Sequence, residues 1–287
     1  MSSPELIEVT RRNARSVQTT IGWIFWDPGA IRRHEALGLP GPLGYIAARC
    51  APMASAGPDA VIAAFGSISP IGIRLVFDIL GRPERFDEAC LARDVAVAEG
   101  LVAFAPSIVE PLSTLGPALW DVVDALPLVG RSFFGAHLAR PRPVDPLLSG
   151  WHAINCLREW RGDTHWAIVI AEGYGHAEAS ILHNAWLGYE RDWLARSRGT
   201  SDGDLAAGWA SLEAKGLVVD GEVTDEGIAV RQGIEELTDE RSSLVWELAG
   251  PSLSQRFAEQ LEPACELLLR RVDETAGPNY QPASRIR

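Results

Sequence analysis

The sequence predicts a mainly α-helical protein with one short β-hairpin. Apolar residues recur with helical periodicity along most of the 287 residues, and several segments begin with Pro and end with Gly, which is typical of helix boundaries. Asp220-Gly221, between the β-type stretches LVV and EVT, is a strong hairpin signal. Hydrophobic residues make up 47% of the chain and charged residues 22%, which excludes a disordered protein.

A proline-rich segment divides the chain. Residues 139–149, ARPRPVDPLLS, contain three prolines, each of which disfavours helix in the residue before it. We therefore predict an N-terminal helical domain over residues 1–140, a winged-helix domain over 141–250, and a C-terminal helix with a polar tail over 251–287.

The second unit has a fixed order of elements. We predict three helices, a hairpin and a long helix, over residues 147–173, 174–186, 204–216, 217–224 and 224–248. A loop over residues 191–199 separates the second helix from the third. Thr200 or Ser201 caps the third helix, and Gly216 ends it. The hairpin is too short to be stable alone, so we expect it to pack as a wing on the preceding helix.

The third helix and the segment after it carry the pattern LxxxxxxLxxKGLVxxGxxTxxG. The matching residues are Leu205, Leu212, Lys215, Gly216, Leu217, Val218, Gly221, Thr224 and Gly227. This pattern resembles a winged helix of the MarR-like kind.

The chain more broadly resembles an actinobacterial helix-turn-helix family, over about residues 5 to 270. The main motif is LRExRGDxH, present here as Leu157, Arg158, Glu159, Arg161, Gly162, Asp163 and His165. It is followed by a helix of the GxxEAxxLH type, with His176, Glu178, Ala179 and His183. The match also includes YIAARCAP at residues 45–52 and the pair Thr238 and Asp239. The resemblance implies the fold and implies little about the activity.

A polar cluster in the helix around residues 152–166 is the candidate functional site. Helical spacing places His152, Glu159 and Asp163 near one face, and Arg158, Arg161 and His165 near an adjacent face. With Glu178, His183 and Trp166, these residues predict a pocket between the two domains for a small polar or anionic organic molecule. If the protein is an enzyme, we expect His165 to act as acid or base and Arg161 to stabilise charge, with Asp163 and Glu159 beside them.

Two other interpretations of the cluster are open. Arg158 or Arg161 could pair with Glu159, Asp163 or Glu178 in a buried ion-pair network that joins the domains. His165, His176 and His183 could form an imidazole metal site, but no HExxH pattern is present and we predict no metal. The sequence does not identify a cofactor.

Charge bears on the choice of partner. The net charge is −12, and residues 200–250 hold twelve Asp and Glu against Lys215, Arg231 and Arg241. The third helix and the wing are acidic at positions where a DNA-binding protein needs cations, so we expect DNA binding to be disfavoured. The alternative is a ligand-responsive DNA-binding regulator that forms a homodimer through its last helices, with the basic loop at 191–199 compensating in part.

The N-terminus and the cysteines indicate the compartment. No basic segment followed by an apolar stretch begins the chain, and no uncharged apolar run of about 18 residues occurs, so we expect no signal peptide and no membrane span. The four cysteines lie far apart, without CxxC spacing. We predict a cytoplasmic protein.

Overall fold

The computed structural model describes residues 3–277, which contain fourteen α-helices and one two-stranded sheet. The helices are α1 (Pro4–Gly22), α2 (Pro28–Glu35), α3 (Leu43–Cys50), α4 (Pro58–Ala64), α5 (Pro70–Leu80), α6 (Pro83–Phe104), α7 (Val109–Ala125), α8 (Ser132–Leu138), α9 (Pro146–Ala171), α10 (His176–Leu187), α11 (Trp193–Ser197), α12 (Asp202–Ala214), α13 (Asp225–Ser242) and α14 (Leu244–Ala276). The strands are β1 (Val218–Val219) and β2 (Glu222–Val223). This architecture confirms the predicted mainly α fold with one small hairpin.

Many of the helices begin at a proline that follows a polar capping residue. Asp27, Ser69 and Asp145 each precede a proline and accept a hydrogen bond from a backbone N–H of the first turn. Ser201 caps α12 in the same way by accepting from the N–H of Asp204. These local signals explain why the sequence predicted most of the helices.

The largest core lies where α9 crosses α7 and α1, with α14 packed against α1 and α7. Two glycines allow the close crossing of α7 and α9. A Cβ on Gly150 would lie 2.0 Å from the carbonyl oxygen of Leu112, and one on Gly116 would lie 3.2 Å from the Cα of Gly150. The two backbones are therefore in direct contact, which fixes the position of α9.

The hairpin forms as predicted and follows α10, α11 and α12 in winged-helix order. Val218 pairs with Val223 and Val219 with Glu222. Asp220 and Gly221 both have positive φ, 51° and 79°, as the first and second turn residues of a type I′ hairpin require. A separate apolar cluster that includes Ile181, Leu205, Leu212 and Leu217 joins these helices to β1.

Three predicted boundaries need correction. The loop over 191–199 contains α11, because Leu194 and Ala195 are buried and Asn184 accepts from the N–H of Leu194 through Oδ1. The long helix predicted over 224–248 ends at Ser242, and α14 begins at Leu244. The predicted C-terminal helix is part of α14, which bends at Gly250, where φ is 69°.

The domain division at residue 140 stays a prediction. Helix α9 contacts α7 and α8 on one side of this boundary and α13 on the other. The polar tail predicted after the last helix lies mostly outside the described residues. Among the residues described, no single helix has the length and apolar composition to cross a membrane, although α6 and the segment Pro106–Ala125, bent by 111°, meet both criteria as a pair.

Candidate functional site

A cavity of about 190 Å³ lies where α9 faces α3, α10, α11 and α13. We call it the arginine cavity. Its ionisable or polar lining residues are Gln18, Tyr45, Arg49, Ser67, Arg158, Arg161, His165, His183, Ser197, Arg198, Arg231 and Glu235. Its other lining residues are Gly22, Phe25, Trp26, Ile68, Gly162, Trp166 and Leu194. Five arginines and one carboxylate thus share a cavity that also has aromatic walls.

One end of the arginine cavity is built around Glu159, which lies directly behind the wall. Arg49 donates to both Glu159 oxygens, at 2.8 Å from Nε and 2.6 Å from Nη2, and Arg158 donates to Oε1 at 2.8 Å. Arg158 also donates to the hydroxyl oxygen of Tyr45 at 2.6 Å. Although burial opposes ionisation, Arg49 and Arg158 hold the pKa of Glu159 at about 2. This end, which we call the Tyr45 end, therefore contains two guanidinium groups and one carboxylate.

The other end is built around Glu235 on α13. Arg161 donates to Glu235 Oε1 and, at 2.8 Å, to Asp239 Oδ1. Arg231 donates to Glu235 Oε2 at 2.7 Å. We call this region, together with His165, His183 and Arg198, the Arg231 end.

Several donors at the Arg231 end lack partners. Arg231 is 5% exposed, and its Nη1 has no hydrogen-bond partner within residues 3–277. The Nε of Arg161 is also buried without a partner in this range. Since an unsatisfied buried donor costs about 1–3 kcal/mol, these atoms indicate a place for an acceptor that the chain itself does not supply.

His165 is a neutral ring with a defined tautomer. The Thr238 hydroxyl donates to the carbonyl of Ile234 at 2.7 Å, so its oxygen accepts from Nδ1–H of His165 at 3.0 Å. The Nε2 atom of His165 is therefore an acceptor. Burial, reinforced by Arg231, lowers the pKa of His165 to about 3. Burial and Arg231 also lower the pKa of His183 well below its usual value.

Five of the predicted site residues line the arginine cavity, and one lies just behind it. Those in the wall are Arg158, Arg161, His165, Trp166 and His183. Glu159 is behind them, bound to Arg49 and Arg158. The helical spacing of α9 correctly predicts that Arg158, Arg161 and His165 share a face.

Three of the predicted site residues lie elsewhere. Asp163 accepts the N–H of Phe134 at 2.9 Å, and so caps α8. Glu178 accepts the N–H of Gly175 at the start of α10 and also binds Lys215. His152 contacts Asp94 at 3.1 Å. Each of these side chains has a local structural partner.

The sequence interpretation missed Arg49, Arg231 and Glu235 as site residues. A signal existed for Arg49, because it lies in the YIAARCAP motif. The Thr238 and Asp239 pair was a second signal, since both side chains contact cavity residues, His165 and Arg161. No pattern in the sequence indicated Arg231.

The two other interpretations can be compared with this geometry. Buried ion pairs do surround α9, but Arg161 pairs with Glu235 and Asp239 rather than with Asp163 or Glu178. The pairs line a cavity instead of filling it. Across residues 3–277, no group of three or more His, Cys, Asp or Glu side chains is arranged to hold a metal ion.

The surface of α12 and the wing is acidic, as the sequence indicates. Asp202, Asp204 and Glu213 are exposed on α12. Lys215, just after α12, donates to Glu178 at 2.6 Å and to the carbonyl of Gly173 at 2.8 Å. This lysine is thus engaged within the protein.

Comparison with known proteins gives one match. A family model described as a helix-turn-helix family matches residues 10–274. No curated protein and no solved structure matches the chain. The matched range includes α9 to α13 and every residue that lines the arginine cavity.

Proposed function

The chain belongs to this helix-turn-helix family, and we propose that it binds a small organic anion in the arginine cavity. The observation that carries the proposal is the excess of cationic groups over carboxylates in the wall, which five arginines and one glutamate line. A carboxylate or another oxyanion supplies a negative partner through charge-assisted hydrogen bonds.

The size and the walls of the arginine cavity favour a single-ring or short-chain ligand. An engineered apolar cavity of about 150 Å³ in another protein binds benzene. At about 190 Å³, the arginine cavity has room for a ring with one or two small substituents. Phe25, Trp26 and Trp166 give it apolar surface, and the neutral His165 adds a hydrogen-bond acceptor.

Titration calorimetry with benzoate and benzamide tests this proposal. The two probes have similar shape and differ in charge, so we expect binding of benzoate at least tenfold tighter than of benzamide. Arg231→Gln should weaken benzoate binding about tenfold or more, while Arg74→Gln, in an exposed ion pair with Asp59, should leave it unchanged. Equal affinity for both probes, or equal effects of the two variants, would refute an anion site.

The predicted acid–base role of His165 is not part of this proposal. A general acid or base works best when its pKa lies near the working pH. A pKa of about 3 makes His165 better suited to accept a hydrogen bond from a ligand.

DNA is a second candidate partner, favoured by the family membership and by the order of α10, α11, α12 and the hairpin. The expectation that DNA is disfavoured rested on charge alone, and the family match does not support it. We propose that these elements form a MarR-like module whose DNA binding responds to the ligand. Support comes from the cavity wall, to which α10 contributes His183 and α11 contributes Leu194 and Ser197.

Mobility-shift titration with duplex DNA from upstream of its own gene tests the second proposal. Measurements at about 50 mM salt favour detection, because phosphate contacts weaken steeply as salt rises. We expect a shift that benzoate changes in the wild type and does not change in Arg231→Gln. The absence of a shift at low salt would count against DNA binding and leave the anion site untouched.

A further inference from the structure

Two chemically separate groups of donors occupy the two ends of the arginine cavity. Arg158 and His165 are seven residues apart on α9, which places them about 10 Å apart along the helix axis. Tyr45 and Arg49 on α3 gather around Arg158, and Arg231 on α13 lies at the end with His165. Gly162, which lies on α9 between Arg158 and His165 in the sequence, also lines the cavity.

The Tyr45 end carries one uncompensated positive charge. Arg49 and Arg158 share the single carboxylate of Glu159. The neighbouring His137 is neutral, since burial lowers its pKa to about 4. One negative group in the cavity would balance this end.

Tyr45 adds a directed donor at the same end. Its oxygen accepts from Nη2 of Arg158 at 2.6 Å, so its own hydroxyl hydrogen needs a different acceptor. None of the described residues provides that acceptor. Because Tyr45 lines the arginine cavity, an acceptor on a bound ligand would complete the arrangement.

The Arg231 end also contains donors that lack an acceptor, independently of the Tyr45 end. Nη1 of Arg231 and Nε of Arg161 are buried and have no partner in the described chain, and Arg198 adds another cation to this part of the wall. Glu235 and Asp239 already bind the opposite sides of these two guanidinium groups. Arg158 and His165, one from each end, are about 10 Å apart along the axis of α9, so a second negative group would serve the end that the first leaves unpaired.

We infer that the ligand of this cavity is a small dicarboxylate, with one carboxylate at the Arg231 end and the other at the Tyr45 end. The inference rests on the proposed anion site and adds the number and placement of the negative groups. The short body between the two carboxylates would lie against Gly162 and the aromatic walls. Buried donors without partners make the Arg231 end the stronger of the two, so a monocarboxylate should bind there.

Calorimetry on the full chain, at constant ionic strength, tests the inference with matched pairs of probes: hexanoate against adipate, and benzoate against terephthalate. We expect at least one dicarboxylate to bind tenfold or more tightly than its monocarboxylate partner. Two different dicarboxylates are used because the distance between the two ends of the cavity limits which ligand fits.

Removing one hydroxyl locates the second carboxylate. Tyr45→Phe keeps the ring and should weaken dicarboxylate binding about threefold to tenfold, as expected for one lost hydrogen bond, while changing monocarboxylate binding less than twofold. Tyr174→Phe is the matched control, because Tyr174 lies under the ammonium group of Lys215 and outside the arginine cavity. Thermal unfolding of both variants confirms that each is folded.

The outcomes separate the two proposals. The dicarboxylate inference fails if the two members of each pair bind within twofold of each other. It also fails if Tyr45→Phe behaves like Tyr174→Phe. Either result leaves the anion site unaffected. If neither class binds, both proposals fail.

Discussion

Arg49 and Glu159 form a two-point ion pair between helices that are 110 residues apart in sequence, with N–O distances of 2.8 and 2.6 Å. The Glu159 side chain is 1% exposed, and the Arg49 guanidinium also lies over the ring of Phe65 at 4.2 Å. One residue comes from the YIAARCAP motif and the other from LREWRGDTH. The pair therefore joins α3 to α9 and forms the back wall of the Tyr45 end.

Glu159→Gln should destabilise the protein strongly. The variant leaves Arg49 and Arg158 buried without a carboxylate, and breaking a buried pair in this way costs about 3–5 kcal/mol. Urea unfolding measures the loss. Glu262→Gln is the control, since Glu262 pairs with Arg12 at the surface, where such pairs contribute about 0–1 kcal/mol. Similar losses in the two variants would show that the buried pair has no special role.

Asp163 should make stability depend on pH between neutral and mildly acidic conditions. Burial raises the pKa of Asp163 to about 6, above the value of about 3.9 expected for an unfolded chain. The native state therefore binds this proton more tightly, and the contribution of Asp163 to stability should rise as pH falls from 7 towards 4. The buried histidines, whose pKa values burial lowers, contribute the opposite change in both wild type and variant. Asp163→Asn should lose the contribution of Asp163, because an amide does not titrate. The variant should keep the local structure, because the amide oxygen still accepts the N–H of Phe134.

Urea unfolding of wild type and Asp163→Asn at pH 7 and pH 5 provides the measurement. The stability at pH 5 minus the stability at pH 7 should be more positive in the wild type than in the variant. Asp59→Asn, at an exposed aspartate, should follow the wild type. The same change between these pH values in wild type and Asp163→Asn contradicts the assignment to Asp163.

Gly66→Ala should disturb the contact between the N-terminal helices and α9–α10. A Cβ at Gly66 would lie 2.2 Å from the ring of Trp166, which stacks on His176. His176 in turn contacts the carbonyl of Gly66 at 2.7 Å and the hydroxyl of Thr200 at 3.0 Å. Because Trp166 must shift, we expect a loss of about 1–3 kcal/mol in thermal unfolding.

A change in tryptophan fluorescence should accompany the loss, since Trp166 is the side chain displaced. Gly233→Ala is the control, because an added Cβ there meets no atom within 4 Å. An unaltered melting temperature in Gly66→Ala would show that this contact does not hold the two parts together.

Local signals predicted the parts of the fold that depend on neighbouring residues. Asp220-Gly221 predicted the hairpin because its positive φ angles suit few other pairs. Helical periodicity predicted the shared face of Arg158, Arg161 and His165. The other parts of the fold depend on tertiary packing. For example, Leu194 and Ala195 are buried in α11, and nothing in their own sequence requires a helix there.

The candidate site could be predicted only in part, because it also depends on tertiary packing. Arg231 and Glu235 reach α9 only because α13 packs against it, and a single sequence does not show which helix faces meet. Glu178 is a different case: it lies three residues after Gly175, a capping position, and its carboxylate accepts the Gly175 N–H. The structure thus gives this side chain a local capping role, and its binding role stays a prediction.

Gly162→Ala should make the protein more stable and the arginine cavity less able to bind. Gly162 lies inside α9, where Gly is about 0.8–1.0 kcal/mol less favourable than Ala. An added Cβ would come no closer than 3.7 Å to a neighbouring side chain, the carboxylate of Glu159, so it fits the empty protein. It would occupy space next to Glu159 and Arg49, on the wall against which we place the body of the ligand.

The matched control for Gly162→Ala is again Gly233→Ala, a helical glycine that does not line the cavity. Both variants should gain a few tenths to about 1 kcal/mol in urea unfolding. Only Gly162→Ala should weaken the binding of benzoate or a dicarboxylate in calorimetry, by about threefold or more. Equal gains in stability with unchanged affinity in both variants would place the ligand elsewhere, because a methyl group in a cavity of this size cannot be neutral to a ligand that fills it.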